Sequence, residues 1–167
     1  MRPIRIIVLL VVSVLLVAGW PSPAGAEQVR RVDPRGDAPA SIDIWSARYK
    51  HREHRVRVLA NIPDLGQRGR ASLSISRFTI FEAGYVAIIK KRAGQDPQVR
   101  LTFFNHFELQ PRDCPGVSGS WTDDQVKLSV PRSCLEGHAR QRVFVQFAIL
   151  RGSDVDRARP VKRLARS

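Results

Sequence analysis

At 167 residues, 43% of them hydrophobic, the chain has material for one domain with its own core and not for several. A formal charge of +13, from 28 Lys and Arg against 15 Asp and Glu, draws it toward anionic polymers or membrane surfaces. Its two cysteines, Cys114 and Cys134, lack C-x-x-C spacing, which excludes a cysteine-built zinc site and a dithiol redox centre.

The chain opens with a short basic segment, Met1-Arg2-Pro3-Ile4-Arg5. An apolar run from Ile6 to Trp20 follows, interrupted by Ser13 and Gly19. Pro21-Ser22-Pro23 ends any helix, and Ala24-Gly25-Ala26 offers the small-residue pattern a signal peptidase accepts. The apolar run falls short of the roughly 20 residues a membrane helix needs. Residues 1–26 therefore read as a cleaved secretory signal, with no stable membrane span after cleavage. No cysteine follows for lipidation, and no twin-Arg pair precedes. Loss of Arg2 and Arg5 takes the charge from +13 to +11. In an exported chain an isolated cysteine pair forms a disulfide. Joining Cys114 to Cys134 closes a loop worth about 3 kcal/mol of chain entropy.

Asp33 to Ala40 reads Asp-Pro-Arg-Gly-Asp-Ala-Pro-Ala, which is turn chemistry. Ile42–Tyr49 reads as a strand of mixed parity. Ile42 and Ile44 point one way, and Trp45, Ala47 and Tyr49 the other, as burial on both faces or a bulge would give. His51-Arg52-Glu53-His54 is a hairpin-sized connection. Val56, Val58, Ala60 and Ile62 then alternate with Arg55, Arg57, Leu59 and Asn61, the period of a half-buried strand. After a loop from Pro63 to Arg70, Ala71, Leu73 and Ile75 alternate with serines. A turn at Ala83-Gly84 precedes Tyr85, Ala87 and Ile89, and Ala93 to Pro97 is another hairpin. Val99, Leu101, Phe103, Asn105, Phe107 and Leu109 form the longest alternating series. Pro111 to Asp124 is a loop holding Cys114. Val126, Leu128 and Val130 follow, then at most one helical turn at Ser133–Glu136, then Val143, Val145, Phe147 and Ile149.

No sustained helical period and no internal repeat interrupts this pattern. It predicts an all-β fold over residues 27–152, an antiparallel, jelly-roll-like β-sandwich of about 7–9 strands with one disulfide. Residues 153–167 are basic, with Val155, Val161 and Leu164 their main hydrophobes. They form either a basic C-terminal tail or an edge strand.

Asp33-Pro34, Gly36-Asp37 and Asp43-Ile44, then a His-containing turn and Val56-Arg57-Val58, resemble the start of a group of small secreted actinobacterial proteins. Val130-Pro131-Arg132-Ser133-Cys134-Leu135 and the strand at Arg142-Val143-Phe144-Val145 resemble the same group near its end. The pattern is similar to the β-sandwich of DOMON domains and family-nine carbohydrate-binding modules. The resemblance implies a fold and not a reaction. The group often carries an acidic pair where this chain has Ser74-Ile75-Ser76-Arg77, which argues against carrying metal binding over.

No catalytic constellation stands out. His51 and His54 are spaced to share a metal, but solvated turn residues are the preferred reading. His106 reads as an exposed strand histidine. Gly116-Val117-Ser118-Gly119-Ser120 lacks the second glycine of a nucleophile elbow and the helix that should follow. Arg35-Gly36-Asp37 spells an integrin-recognition tripeptide inside the turn already described. Asp33, Asp37 and Asp43 offer oxygens of the kind calcium takes, but in no EF-hand pattern. Capping of turn N–H groups is preferred, and no metal ligand is assigned.

Parity sets Phe104 and Phe144 opposite their strands' main apolar series. With Trp45, Trp121 and His106 they make the candidate ligand-binding set. The reading that results is a secreted, non-enzymatic binding domain, extracellular or held at the cell envelope. Its expected partner is an anionic or neutral polysaccharide rather than nucleic acid. A small secreted hydrolase and a structural accessory of the envelope are the alternatives.

Overall fold

The computed structural model describes residues 28–77, 80–106, 108–137, 139 and 141–167, with Ile80 and Phe81 as backbone only. The segment read as a secretory signal lies outside the described residues, as do Phe107 and His138.

Twelve strands form among the described residues, more than the spacing predicts, because five are short edge or turn-linked pieces. They are β1 (Gln28–Val32), β2 (Ser46–His51), β3 (Arg55–Asn61), β4 (Gly69–Arg77), β5 (Ile80–Lys91) and β6 (Gln98–Asn105). Then follow β7 (Glu108–Arg112), β8 (Ser118–Trp121), β9 (Gln125–Pro131), β10 (Arg142–Arg151), β11 (Asp154–Arg157) and β12 (Val161–Ala165). One sheet runs β1-β2-β3-β9-β8 and the other β11-β10-β4-β5-β6-β7, with β12 also on β10. Every pairing is antiparallel. The chain crosses between sheets after β3, β7 and β9, which makes the expected β-sandwich.

The alternating residues supply the interior. Val56, Val58 and Ala60 of β3 and Val126, Leu128 and Val130 of β9 face Ala71, Leu73 and Ile75 of β4, Tyr85, Ala87 and Ile89 of β5, and Val143, Val145, Phe147 and Ile149 of β10. All are buried. Closing the two sheets over these side chains removes most of their apolar area from water, which is the main stabilisation of a sandwich.

Three local expectations change. Ile42 and Ile44 are buried but precede β2, so the parity switch marks the strand's start rather than a bulge. Gly84 is no turn. It lies within β5 opposite Ser76 and Phe104, where a Cβ would come within 2.4 Å of the Ile75 carbonyl oxygen. That close approach is what requires glycine here. The long series from Val99 to Leu109 is a hairpin, since Asn105 of β6 pairs with Glu108 of β7 and Leu109 is exposed. Its turn places His106 at φ 52°, in the left-handed region. Alternation continued across that turn because a two-residue loop preserves apparent parity.

The C-terminal segment is edge strand and not free tail. β11 pairs with Ala148–Arg151 and β12 with the start of β10, burying Ala158, Val161 and Leu164. Between these two pieces the outer edge of β10 is open at Phe147. The Phe147 N–H donates to the Tyr49 hydroxyl at 3.0 Å, and the Phe147 carbonyl accepts from the Ala158 N–H at 3.1 Å. Tyr49 belongs to the other sheet, so one phenol completes the ladder and ties the sheets together. Burial raises the Tyr49 hydroxyl pKa and keeps it neutral.

Cys114 and Cys134 form the predicted disulfide, with Cα atoms 5.7 Å apart. It joins the β7–β8 crossover to the short 3-10 turn after β9. No helix among the described residues is long and apolar enough to cross a membrane.

Candidate functional site

The feature that stands apart is the outer face of the five-stranded sheet. Because β2, β3 and β9 bury one parity, their other parity forms a continuous external surface. Antiparallel register sets these outward residues in rows. One row runs Gln28, Lys50, Arg57, Ser129, Ser118. The next runs Arg30, Arg48, Leu59, Lys127, Ser120. Arg55, opposite Pro131, adds a further cation at the end of β3.

Arg30, Arg48, Lys50, Arg55, Arg57 and Lys127 therefore share one face that carries no carboxylate among the described residues. Lys50 stands directly opposite Arg57, and Arg30 directly opposite Arg48. Like charges in such positions weaken the sheet by a few tenths of a kcal/mol or more. Among the described residues no carboxylate lies within 4.0 Å of any of these six cations. Arg30 donates instead to the Ser46 hydroxyl at 3.3 Å, and Arg55 to the Gly116 carbonyl.

Between β2, β3, β9 and β8 the face is hollowed into a groove of about 520 Å³. Arg48, Lys50, Arg57 and Lys127 line it together with Ser118, Ser120 and Ser129, the Ser129 hydroxyl being itself buried. Gly119, between Ser118 and Ser120, has the inward parity, and a Cβ there would approach the Lys127 carbonyl oxygen to 2.7 Å and the buried Ile89 to 3.1 Å. The groove thus combines fixed positive charge with small hydroxyl groups on a rigid sheet. Such a surface attracts an anionic chain at long range and gives its oxygens donors at contact.

The aromatic candidates do not gather on this face. Phe104 and Phe144 share one row on the opposite sheet's exterior, with Ser76 and Gly84 between them, and both are half-buried. His106 is exposed at the β6–β7 turn, with Nε2 3.6 Å from Glu82. Trp45 is half-buried after the Asp33–Ala40 turn, and the Arg35 guanidinium sits 3.9 Å from its ring centroid. Trp121 is turned inward instead, buried against Gly69, with its indole N–H donating to the Gly66 carbonyl at 3.0 Å. It closes one end of the sandwich rather than offering a stacking surface. The five residues lie in different places, and only the two phenylalanines share a row.

His51, expected in a solvated turn, is fully buried at the end of β2, with Nδ1 3.3 Å from the Leu164 carbonyl oxygen. β12 covers it. His54 is exposed beside Glu53. Ser118 lies on a strand with no helix after it, as the failed elbow motif implies.

A second cluster is negative. Asp33 and Asp37, from the loop after β1, meet Asp156 of β11. Burial, then the charges of Asp156 and Asp37, push the Asp33 carboxyl up to about 6. Asp156 is raised chiefly by burial, offset in part by N–H bonds from Ile44 and Arg157. The loop aspartates were visible as turn residues, but Asp156 is more than a hundred positions away. No short-range signal links it to them.

None of the known protein-family models matches this chain, and no curated protein or solved structure matches it either.

Proposed function

We propose that the protein is a non-catalytic binding domain that acts outside the cytosol and holds an anionic polysaccharide across the outer face of its five-stranded sheet. The observation that carries this reading is six cations and no carboxylate on that one face, two pairs of them directly opposed. A folding-only sheet gains nothing from that arrangement, whereas an anionic ligand turns the repulsion into attraction. The signal-like leader and the Cys114–Cys134 bridge support action in an oxidising compartment. The sequence resemblance to carbohydrate-binding sandwiches points the same way.

Nucleic acid fits the face less well. Single-strand binders stack bases on aromatic side chains, and the outward residues in these rows include none. Sugar stacking is missing for the same reason, so charged groups on the glycan must supply the affinity.

The test uses heparin as a polyanionic glycan probe and dextran as a neutral one. Heparin binds the signal-free protein and dextran does not. Affinity falls on the order of a thousandfold between 50 and 200 mM salt, the scale expected when about six ionic contacts release counterions. Binding of dextran, or heparin binding that ignores salt, overturns the reading.

A further inference from the structure

We propose that Asp33, Asp37 and Asp156, with Asp43 beside them, form a Ca²⁺ site that staples the β1–β2 loop to β11. One carboxylate oxygen from each of the first three residues lies within 4.8 Å of the other two. Opposite ligands on a Ca²⁺ ion, each at 2.3–2.6 Å, are about 5 Å apart, so the trio fits around a single ion.

The buried oxygens provide the second observation. Asp33 is only 5% exposed and Asp43 only 7%. Asp33 Oδ2 and Asp43 Oδ1 are shut off from solvent and accept no hydrogen bond among the described residues. Their sister groups are in use. Asp43 Oδ2 accepts the Gly36 N–H at 2.9 Å, and Asp156 Oδ2 accepts the Ile44 N–H at 2.7 Å. These bonds fix Asp43 and Asp156 in place, and the charge of Asp43 bears on Asp156, while one oxygen each of Asp33 and Asp43 stays without a partner. A buried carboxylate oxygen with no partner is costly, and several together compound the cost through mutual repulsion.

The surrounding cations do not resolve this. Arg159 acts on Asp33 through its backbone N–H and its charge, yet no Lys or Arg nitrogen among the described residues comes within 4.0 Å of these carboxylates. Arg35 is occupied over the Trp45 ring. One shared proton would bridge at most two of these oxygens, whereas a divalent cation coordinates several at once. The ligands are all hard oxygens, with no His or Cys in the group, which selects against zinc. An all-protein carboxylate cage favours Ca²⁺ over Mg²⁺, which keeps its waters and demands closer octahedral geometry.

The topology gives the ion a role. Asp156 pairs with Ile149, an inward residue of β10, so its carboxylate faces the space between the sheets. Asp33 and Asp37 come from the edge of the other sheet. An ion shared among them locks the two edges together where the C-terminal strands close the sandwich.

The full signal-free chain is stripped with EDTA and melted with and without 1 mM Ca²⁺. Ca²⁺ raises Tm by about 5–10 °C, the shift expected for a site well above its Kd. Tb³⁺ binds in its place and is sensitised by Trp45, whose carbonyl accepts the Asp33 N–H. Asp37→Asn, at an exposed position that folding does not require, loses both responses. Asp156→Asn does the same where it folds. The proposal is overturned by a Tm that ignores Ca²⁺, by a shift that Mg²⁺ reproduces in full, or by responses that Asp37→Asn leaves intact. Heparin binding in EDTA is a separate readout, so failure here leaves the basic face standing.

Discussion

Like charges meet in two places in this protein, on the outer face of the five-stranded sheet and in the pocket where the β1–β2 loop meets β11. The first gathers Arg30, Arg48, Lys50, Arg55, Arg57 and Lys127 on a surface open to water. The second gathers three carboxylates, two of them buried. Solvent screens the cations, so holding them together costs little and their summed field reaches outward. Burial removes that screening from the carboxylates, so the same crowding becomes expensive and demands a local answer. On the readings proposed above, the exposed cluster attracts a large anionic partner from a distance, and the buried one retains a small cation.

The largest expected effect breaks the first half of that contrast. Lys50→Glu, Arg57→Glu and Lys127→Glu together place carboxylates at the centre of both rows. Heparin affinity falls at least a hundredfold at low salt, about 3 kcal/mol, as isothermal titration measures it. Circular dichroism and Tm stay near wild type, because all three side chains point away from the core.

Asp33→Asn tests the second half. In EDTA the Asp33 carboxyl has a folded pKa raised from 3.8 to about 6. The folded state thus prefers the protonated form. The stability this adds is fully present below pH 3.8 and is lost as pH rises through 6. The amount lost is at most about 3 kcal/mol. Asp33→Asn removes this loss, so the variant gains on wild type between pH 4 and pH 7. A wild-type difference from the variant that does not change with pH would contradict the assignment.

Tyr49→Phe supplies a reference between the two, a buried polar group whose partner is present. It leaves the Phe147 N–H without an acceptor at the gap between β11 and β12. The cost is about 1–3 kcal/mol in urea unfolding, with no change in heparin binding. The smallest effect sharpens the comparison from the other side. Lys50→Gln relieves the repulsion with Arg57 and stabilises the sheet by roughly 0.2–0.5 kcal/mol at low salt. The gain vanishes at high salt, while heparin binding weakens. Stability and binding then move in opposite directions from one substitution, which a purely structural role for Lys50 does not produce.

The strands with strong alternation were legible residue by residue. Val56 to Ile62, Ala71 to Ile75, Val126 to Val130 and Val143 to Ile149 bury the parity that the sequence assigns inward. Their solvent-facing partners were equally visible, so Arg55, Arg57 and Lys127 could be placed outside from sequence. That they join Arg30, Arg48 and Lys50 on one face could not, because register depends on which strands pair. β3 and β9, neighbours in the sheet, are separated by more than sixty residues of chain.

Local chemistry failed where a loop kept the period or where distance hid a partner. The turn at His106 was invisible because alternation survives a two-residue reversal. Gly84 resembled a turn residue, and only the packed neighbours reveal that a side chain would collide with Ile75 and Ser76.

The sequence by itself determined an all-β chain with one disulfide and an inside and an outside for each strong strand, because alternation and cysteine count act locally. Tertiary structure alone decided that the last residues close the sheet, that His51 lies buried beneath them, and that Asp156 joins the aspartates of the first loop. Each of these depends on segments far apart in the chain brought within contact range, and no short-range pattern encodes which distant surface will cover which.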